Sequence, residues 1–207
     1  MPAVRLANPK SITISVPLII RAPWLPHSVG QHTDVLAEAV DVFPTMAALC
    51  GLPPPQEFAQ ELNGTNLAPL FAQPPAPGSG SALKPAAFSQ FGKCAAYEQA
   101  KTNFTLQNLC RRDQMFMMGF SVRTDLWRYT CWFGVDDVGG DEIAVATDRI
   151  IGRELYDHRR DAGGASFDRD GENVNLVAEP RFAEIVARHH ALVLGYIRPR
   201  VRAEKAP

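Results

Sequence analysis

The chain has 207 residues, 46% hydrophobic and 21% charged, with a formal net charge of -1. That length allows one large domain or two small ones, and the composition is that of a globular protein. The near-neutral charge argues against a nucleic-acid binder, which carries a basic footprint, and no apolar run reaches membrane-spanning length.

The N-terminal stretch "MPAVRLANPKSITIS" lacks the long apolar core of a secretory leader. Next, "SITISVPLIIRAP" (Ser11–Pro23) is apolar and β-branched, and reads as a buried strand of parallel type, ended by Pro23. "WLPHSVGQHTD" reads as a loop. "VLAEAVDVFPTMAALCGLPPP" reads as a helix with Asp41 at its N-cap and Pro44 in its first turn, where a missing N–H costs nothing. Phe43, Met46, Ala47 and Cys50 fall on one face at helical spacing, and Gly51 suits the position just past the end. "ELNGTNLAPLF" reads as a turn and a short apolar anchor. "AQPPAPGSGSALKP" (Ala72–Pro85) has the composition of a linker.

Beyond it the pattern changes to strands. "AAFSQF" (Ala86–Phe91) is the first, followed by a polar insert over Gly92–Gln114 with no clear period. "FMMGFSVRTDLWRYTCWF" holds two strands around a tight turn at Arg123–Asp125. Phe120 and Val122 alternate with Ser121 and Arg123; Trp127, Tyr129 and Cys131 alternate with Arg128, Thr130 and Trp132. "GRELYDH" is a fourth short strand, and "DAGGASFDRDGENVNL" a loop. "AEPRFAEIVARHHALVLGYIRPR" is a helix with Phe182, Ile185, Val186, His189 and Val193 at helical spacing. An antiparallel sheet backed by one helix is an α+β arrangement.

Cys50, Cys94, Cys110 and Cys131 show no CxxC spacing, which argues against zinc; Cys94 and Cys110 are a candidate disulfide pair if the chain is secreted. Asn63–Thr65 and Asn103–Thr105 are glycosylation sequons that matter only in a secretory compartment. Several clusters resemble metal sites and read better as structure. Asp136 and Asp137 read as a solvated loop after a strand. "DRDGEN" (Asp168–Asn173) lacks the full set of calcium-loop ligands. Asp157 and His158 sit at a strand end, His189 and His190 read as helix packing, and His27, His32 and Asp34 lie in a loop with no fixed partner. Serine-nucleophile motifs are missing: "GFSVR" is not G-x-S-x-G.

In this order the segments resemble the C-terminal part of a sulfatase, of the iduronate type. "VPLIIRAPW" resembles that family's late core strand, and "AVDVFPTMAALCGLPPP" the family helix "VDLFPTLAELAGL". "LNGTNLAPLF" is similar to "DGxSLxPLL". "AFSQF", "MGFSVRTDLWRYT" and "ELYDH…ENVNL" resemble the iduronate-type elements "SQY", "MGYSIRT…YRYT" and "ELYD…EN.NL". The resemblance runs roughly from Val16 to Arg198. It implies an α/β remnant of a sulfatase (alkaline-phosphatase-like) core followed by an α+β subdomain with a small antiparallel sheet and a C-terminal helix. The implied division is residues 1–71 for the core part, 72–85 for the linker and 86–207 for the subdomain.

The same resemblance implies where the chemistry lies. Sulfatases act through a formylglycine made from Cys or Ser in C/S-x-P-x-R and through a bound Ca²⁺. No cysteine here stands in that motif, the lysine nearest the family's position, Lys10, lies in a divergent stretch, and the family's calcium ligands precede the first strand. The chain is therefore expected to carry no catalytic residue and no metal or other cofactor of its own, and to be inactive alone. In the family the loop after "SQF" approaches the substrate mouth. That implies substrate contacts at Gln90, Phe91 and Lys93, with Gln90 bonding a sugar hydroxyl and Lys93 pairing with a uronate carboxylate. The expected partners are an N-terminal sulfatase half and, once complemented, a sulfated glycan; neither nucleic acid nor membrane is expected. Three readings stand: a C-terminal fragment of a sulfatase, a subunit of a split sulfatase, and a non-catalytic binder of sulfated glycan. Family members are often lysosomal, periplasmic or secreted, and the compartment is left open. An uncovered apolar strand at Ile12–Ile20 is expected to promote self-association.

Overall fold

The structure, a computed structural model, describes residues 18–53, 63–72, 83–94, 115–137, 143–159 and 172–202. Of the strand expected over Ser11–Pro23, only Leu18–Pro23 falls within them. Leu18–Ile20 carry no regular structure, and Leu18 and Ile19 are exposed. A strand needs a hydrogen-bonded neighbour, and none of the described strands pairs with this segment.

A 3-10 turn at Ala39–Asp41 leads into helix α1 (Val42–Leu49). Asp41 stands at the N-cap position and Pro44 lies in the first turn, as the spacing predicts, but the Asp41 side chain makes no capping hydrogen bond to the helix. The end is a Schellman motif: the Gly51 N–H donates to the Ala48 carbonyl (3.1 Å) and the Leu52 N–H to the Ala47 carbonyl (2.9 Å), with Gly51 at φ +67°. The buried face differs from the expected one. Asp41, Pro44, Thr45 and Ala47 are buried, whereas Phe43, Met46 and Cys50 are exposed. Hydrogen-bonding need, rather than apolarity, selects the inward side: the buried Asp41 and Thr45 side chains both serve backbone groups of Thr65 and Leu67.

Strands β1 (Ala87–Cys94), β2 (Met115–Arg123), β3 (Trp127–Asp137) and β4 (Ala144–Asp157) form one antiparallel meander in the order β1-β2-β3-β4. The four strands expected beyond the linker are all present, with shifted ends. Gly92–Cys94, assigned to the polar insert, continue β1; the rest of that insert, residues 95–114, lies outside the described residues. The fourth strand is longer than "GRELYDH", and Asp136 and Asp137 finish β3 rather than opening a loop. The turn between β2 and β3 closes with the Thr124 N–H donating to the Trp127 carbonyl (2.9 Å).

The register sets the two faces. Val122 opposes Tyr129, which opposes Leu155; Phe120 opposes Cys131, which opposes Arg153. This face carries Met118, Phe120, Val122, Trp127, Tyr129, Cys131 and Phe133, and helix α2 (Ala183–Arg202) packs over it. The side chains that α2 and the preceding 3-10 turn bury, Phe182, Val186, His189, Val193 and Ile197, recur every three or four residues, which fits one helical face. Phe88 stacks on Tyr196 at 4.4 Å, and Trp127 packs on Phe182 at 5.2 Å.

Candidate functional site

The opposite face of the sheet is equally buried but polar. Ser121, Thr130 and Glu154 lie in one row across the strands, and Arg128 opposes Tyr156 in the next. Trp132 is fully buried among them, over Gly119, where any side chain would meet its ring. The indole N–H donates to Glu154 Oε1 (3.2 Å), and the Tyr156 hydroxyl donates to Glu154 Oε2 (3.3 Å). Arg128 donates to Glu172 Oε2 (2.7 Å), and His158 Nε2 lies 3.2 Å from Glu172 Oε1. Burial pushes the Glu154 carboxyl up, against the Trp132 hydrogen bond and the charges of Arg128 and Lys93. Burial and the neighbouring Glu154 charge push the Tyr156 phenol up as well.

Two of the three expected contact residues lie on this polar face. Lys93 opposes Met117 and Phe91 opposes Gly119. Lys93 is only 2% exposed, and its ammonium sits 4.6 Å from the Trp132 ring centroid. It is a packed cation rather than a solvated one. Gln90 opposes Phe120, so it belongs to the face carrying α2, where its side chain is exposed. Alternation along β1 thus separates Gln90 from Phe91 and Lys93.

A second buried polar array joins α1 to β1, and the expectation of Asp41 as a helix cap alone does not include it. The fully buried Asp41 carboxylate accepts from the Glu38 N–H (2.7 Å), from the Thr65 N–H (2.7 Å) and from the Lys84 ammonium. Lys84 also pairs with Glu38 (2.8 Å), and Glu38 Oε1 accepts from the Phe88 N–H (3.0 Å) at the start of β1. The Thr45 hydroxyl donates to the Asp41 carbonyl (2.6 Å) and accepts from the Leu67 N–H (2.9 Å). Gly64 is required here, because a Cβ would stand 2.0 Å from the Val40 carbonyl oxygen. The one sequence signal was the pairing of "VDVFPT" with "NGTNL", two motifs whose buried polar groups satisfy one another.

Three of the remaining candidates form ion pairs. Asp136 pairs with Arg149 (2.7 Å), Asp157 with Arg159 (2.6 Å), and His158 with Glu172. Asp168–Gly171 of the calcium-like loop lie outside the described residues. Among the described residues no group of three or more His, Cys, Asp or Glu is placed to hold a metal ion, and no helix is long and apolar enough to cross a membrane. Cys94 is disulfide-bonded, and its expected partner Cys110 lies outside the described residues; Cys50 and Cys131 are free thiols.

No family model matches the chain. It is 35% identical over 153 residues to the iduronate 2-sulfatase of Mus musculus, a match covering 66% of this chain and 26% of that protein. The chain therefore spans about a quarter of the length of the curated relative it matches. A crystal structure of a Bacteroides thetaiotaomicron protein assigned to the sulfatases superposes with a TM-score of 0.46 at 22% identity, over 77% of this chain and 24% of the other. The chain is similar in sequence to the C-terminal portion of a sulfatase of the iduronate 2-sulfatase kind.

Proposed function

We propose that this chain serves as the C-terminal portion of a sulfatase acting on sulfated uronic acids in glycosaminoglycans, and that it is inactive until joined to a catalytic N-terminal part. The observation that carries this reading is the 35% identity to iduronate 2-sulfatase together with a match to only 26% of that protein's length. The N-terminal part would bring the formylglycine nucleophile and the Ca²⁺ that stabilises charge on the sulfate oxygens. Within the described residues Ile19, Trp24, Val40, Phe43 and Met46 present exposed apolar side chains on the segment before β1. Such surface is characteristic of an interface, and the occupant we assign to it is that N-terminal part. The division into residues 1–71, 72–85 and 86–207 belongs to the same reading. So does the substrate contact, for which the exposed Gln90 is the first candidate, with Phe91 and Lys93 acting from the other face of β1.

The test is complementation. The chain is assayed for sulfate release from a sulfated uronate alone, and again with a separately produced sulfatase N-terminal part bearing C-x-P-x-R. No turnover alone, turnover on mixing, and loss of turnover with Phe43→Asp are expected. Metal-dependent turnover by the pure chain alone overturns the reading.

A further inference from the structure

Two adjacent histidines, His189 and His190, sit where α2 meets the sheet, and neither belongs to the polar arrays described above. The His189 side chain is fully buried. Its Nδ1 lies 2.8 Å from the Ile185 carbonyl oxygen, which can only accept, so the proton of the neutral ring is on Nδ1. Nε2 then faces the Thr124 hydroxyl, 3.1 Å away in the β2–β3 turn, which also reaches the Trp127 carbonyl (3.2 Å). His190 Nδ1 lies 3.0 Å from the Tyr129 hydroxyl of β3, and the two rings meet edge to face at 6.0 Å. Tyr129 keeps its proton because burial raises its phenol far above the ordinary range, so a neutral hydroxyl faces His190. One ring ties α2 to the turn and the other ties it to the strand, each through a neutral hydroxyl.

We infer that His189 and His190 form an acid-sensitive latch that holds the C-terminal helix on the sheet while both rings are neutral and releases it on acidification. The titratable or charged groups acting on the pair are Arg188 on α2 itself, Tyr129 and Cys131 on β3, and Arg153 on β4. None of them is a carboxylate, so a proton added to the buried His189 or the half-buried His190 gains no countercharge from them. Burial, opposed at His189 by the Ile185 hydrogen bond and helped by Arg188, and at His190 helped by Arg153, holds both rings below the ordinary histidine value of 6.5. A released ring binds its proton more readily than a docked one. The latch is therefore complete above 6.5 and weakens as pH falls below it. Glu154, on the other face, runs the opposite way: burial holds its carboxyl high, so acid removes a buried charge from the sheet. The sheet is expected to hold while the helix loosens.

Amide hydrogen exchange on the full chain, corrected for intrinsic pH dependence, tests this between about pH 7.5 and about pH 5, the range in which histidine changes charge. Peptides from Ala183–Ile197 should lose protection severalfold more than peptides from β2 and β3. Arg153→Gln, which removes the cation beside His190 at an exposed position, should make the loss smaller. The double change His189→Gln with His190→Gln should flatten the pH response of the helix even if its overall protection is lower. Helix protection that stays constant across the range, or that falls in step with the sheet and is unmoved by Arg153→Gln, overturns the inference. Because exchange requires no sulfatase activity, the result stands apart from the complementation assay.

Discussion

Asp41 does the work of three side chains. Its carboxylate accepts from Glu38, Thr65 and Lys84, and it has no exposed surface. Removing it leaves Lys84 with Glu38 alone and takes the acceptor from the Glu38 and Thr65 N–H groups, at a cost of about 1–3 kcal/mol for each donor left unsatisfied. Asp41→Ala should lower the stability measured by urea unfolding by that order, and Asp41→Asn by less, since an amide still accepts one backbone N–H. The thiols give a second check. Cys50 is exposed and Cys131 is buried, and burial pushes the Cys131 thiol up to about 11. A thiol-alkylating reagent should modify Cys50 in the native protein and Cys131 only after unfolding, with Cys94 spared until a reductant is added. Sequence made Asp41 legible as a cap but not as a hub, because its partners at Thr65 and Lys84 are distant in the chain. It made Lys93 legible as a cation but not as a buried one, because nothing in "SQFGK" shows that Trp132 lies across the neighbouring strand.

The strands and α2 were legible for a clear reason. Alternation of apolar residues at Phe120, Val122, Trp127, Tyr129 and Cys131, and their recurrence at Phe182, Val186, His189 and Val193, both report one greasy core. The polar face was not legible, since Arg128, Thr130 and Glu154 look like a solvated side in period-2 reading. Trp132 in the polar phase was the local sign that this side is covered too. The loop motif "ENVNL" also acquires a physical role. Asn175 Oδ1 accepts from the Leu155 N–H (3.0 Å) and the Val177 N–H (3.1 Å), its amide donates to the Arg153 carbonyl (3.1 Å), and the Leu176 N–H reaches the Leu155 carbonyl (2.9 Å). The outer edge of β4 is thereby closed by a side chain imitating a strand. Asn175→Ala should cost about 1–3 kcal/mol through the backbone groups it leaves unsatisfied. Faster exchange of the Leu155 amide should localise the loss to that edge.

Exposure is concentrated on the segment before β1, where Ile19 is 88% and Phe43 60% exposed. Surface of this kind drives association when no natural cover is present. The purified chain should therefore show a concentration-dependent mass in sedimentation, and the double change Ile19→Asp with Phe43→Asp should return it to a single copy. A monomer at all concentrations in the unmodified chain would show that this surface is tolerated bare.

The clasp from Asp41 and Glu38 to Lys84 and Phe88 also changes what the Pro- and Gly-rich stretch between Ala72 and Pro85 has to do. Its two ends are already tied, because the short helical turn at Pro69–Ala72 follows directly on the Thr65–Leu67 stretch held by Asp41 and Thr45. A tether with anchored ends transmits no orientation and sets no distance; it only closes a ring of chain. The entropy of such a ring grows slowly with its length, by about 0.6 kcal/mol for each doubling. Inserting a Gly/Ser run that doubles the stretch should therefore leave the urea midpoint almost unchanged, while the same insertion combined with Lys84→Met should let the two sides drift apart.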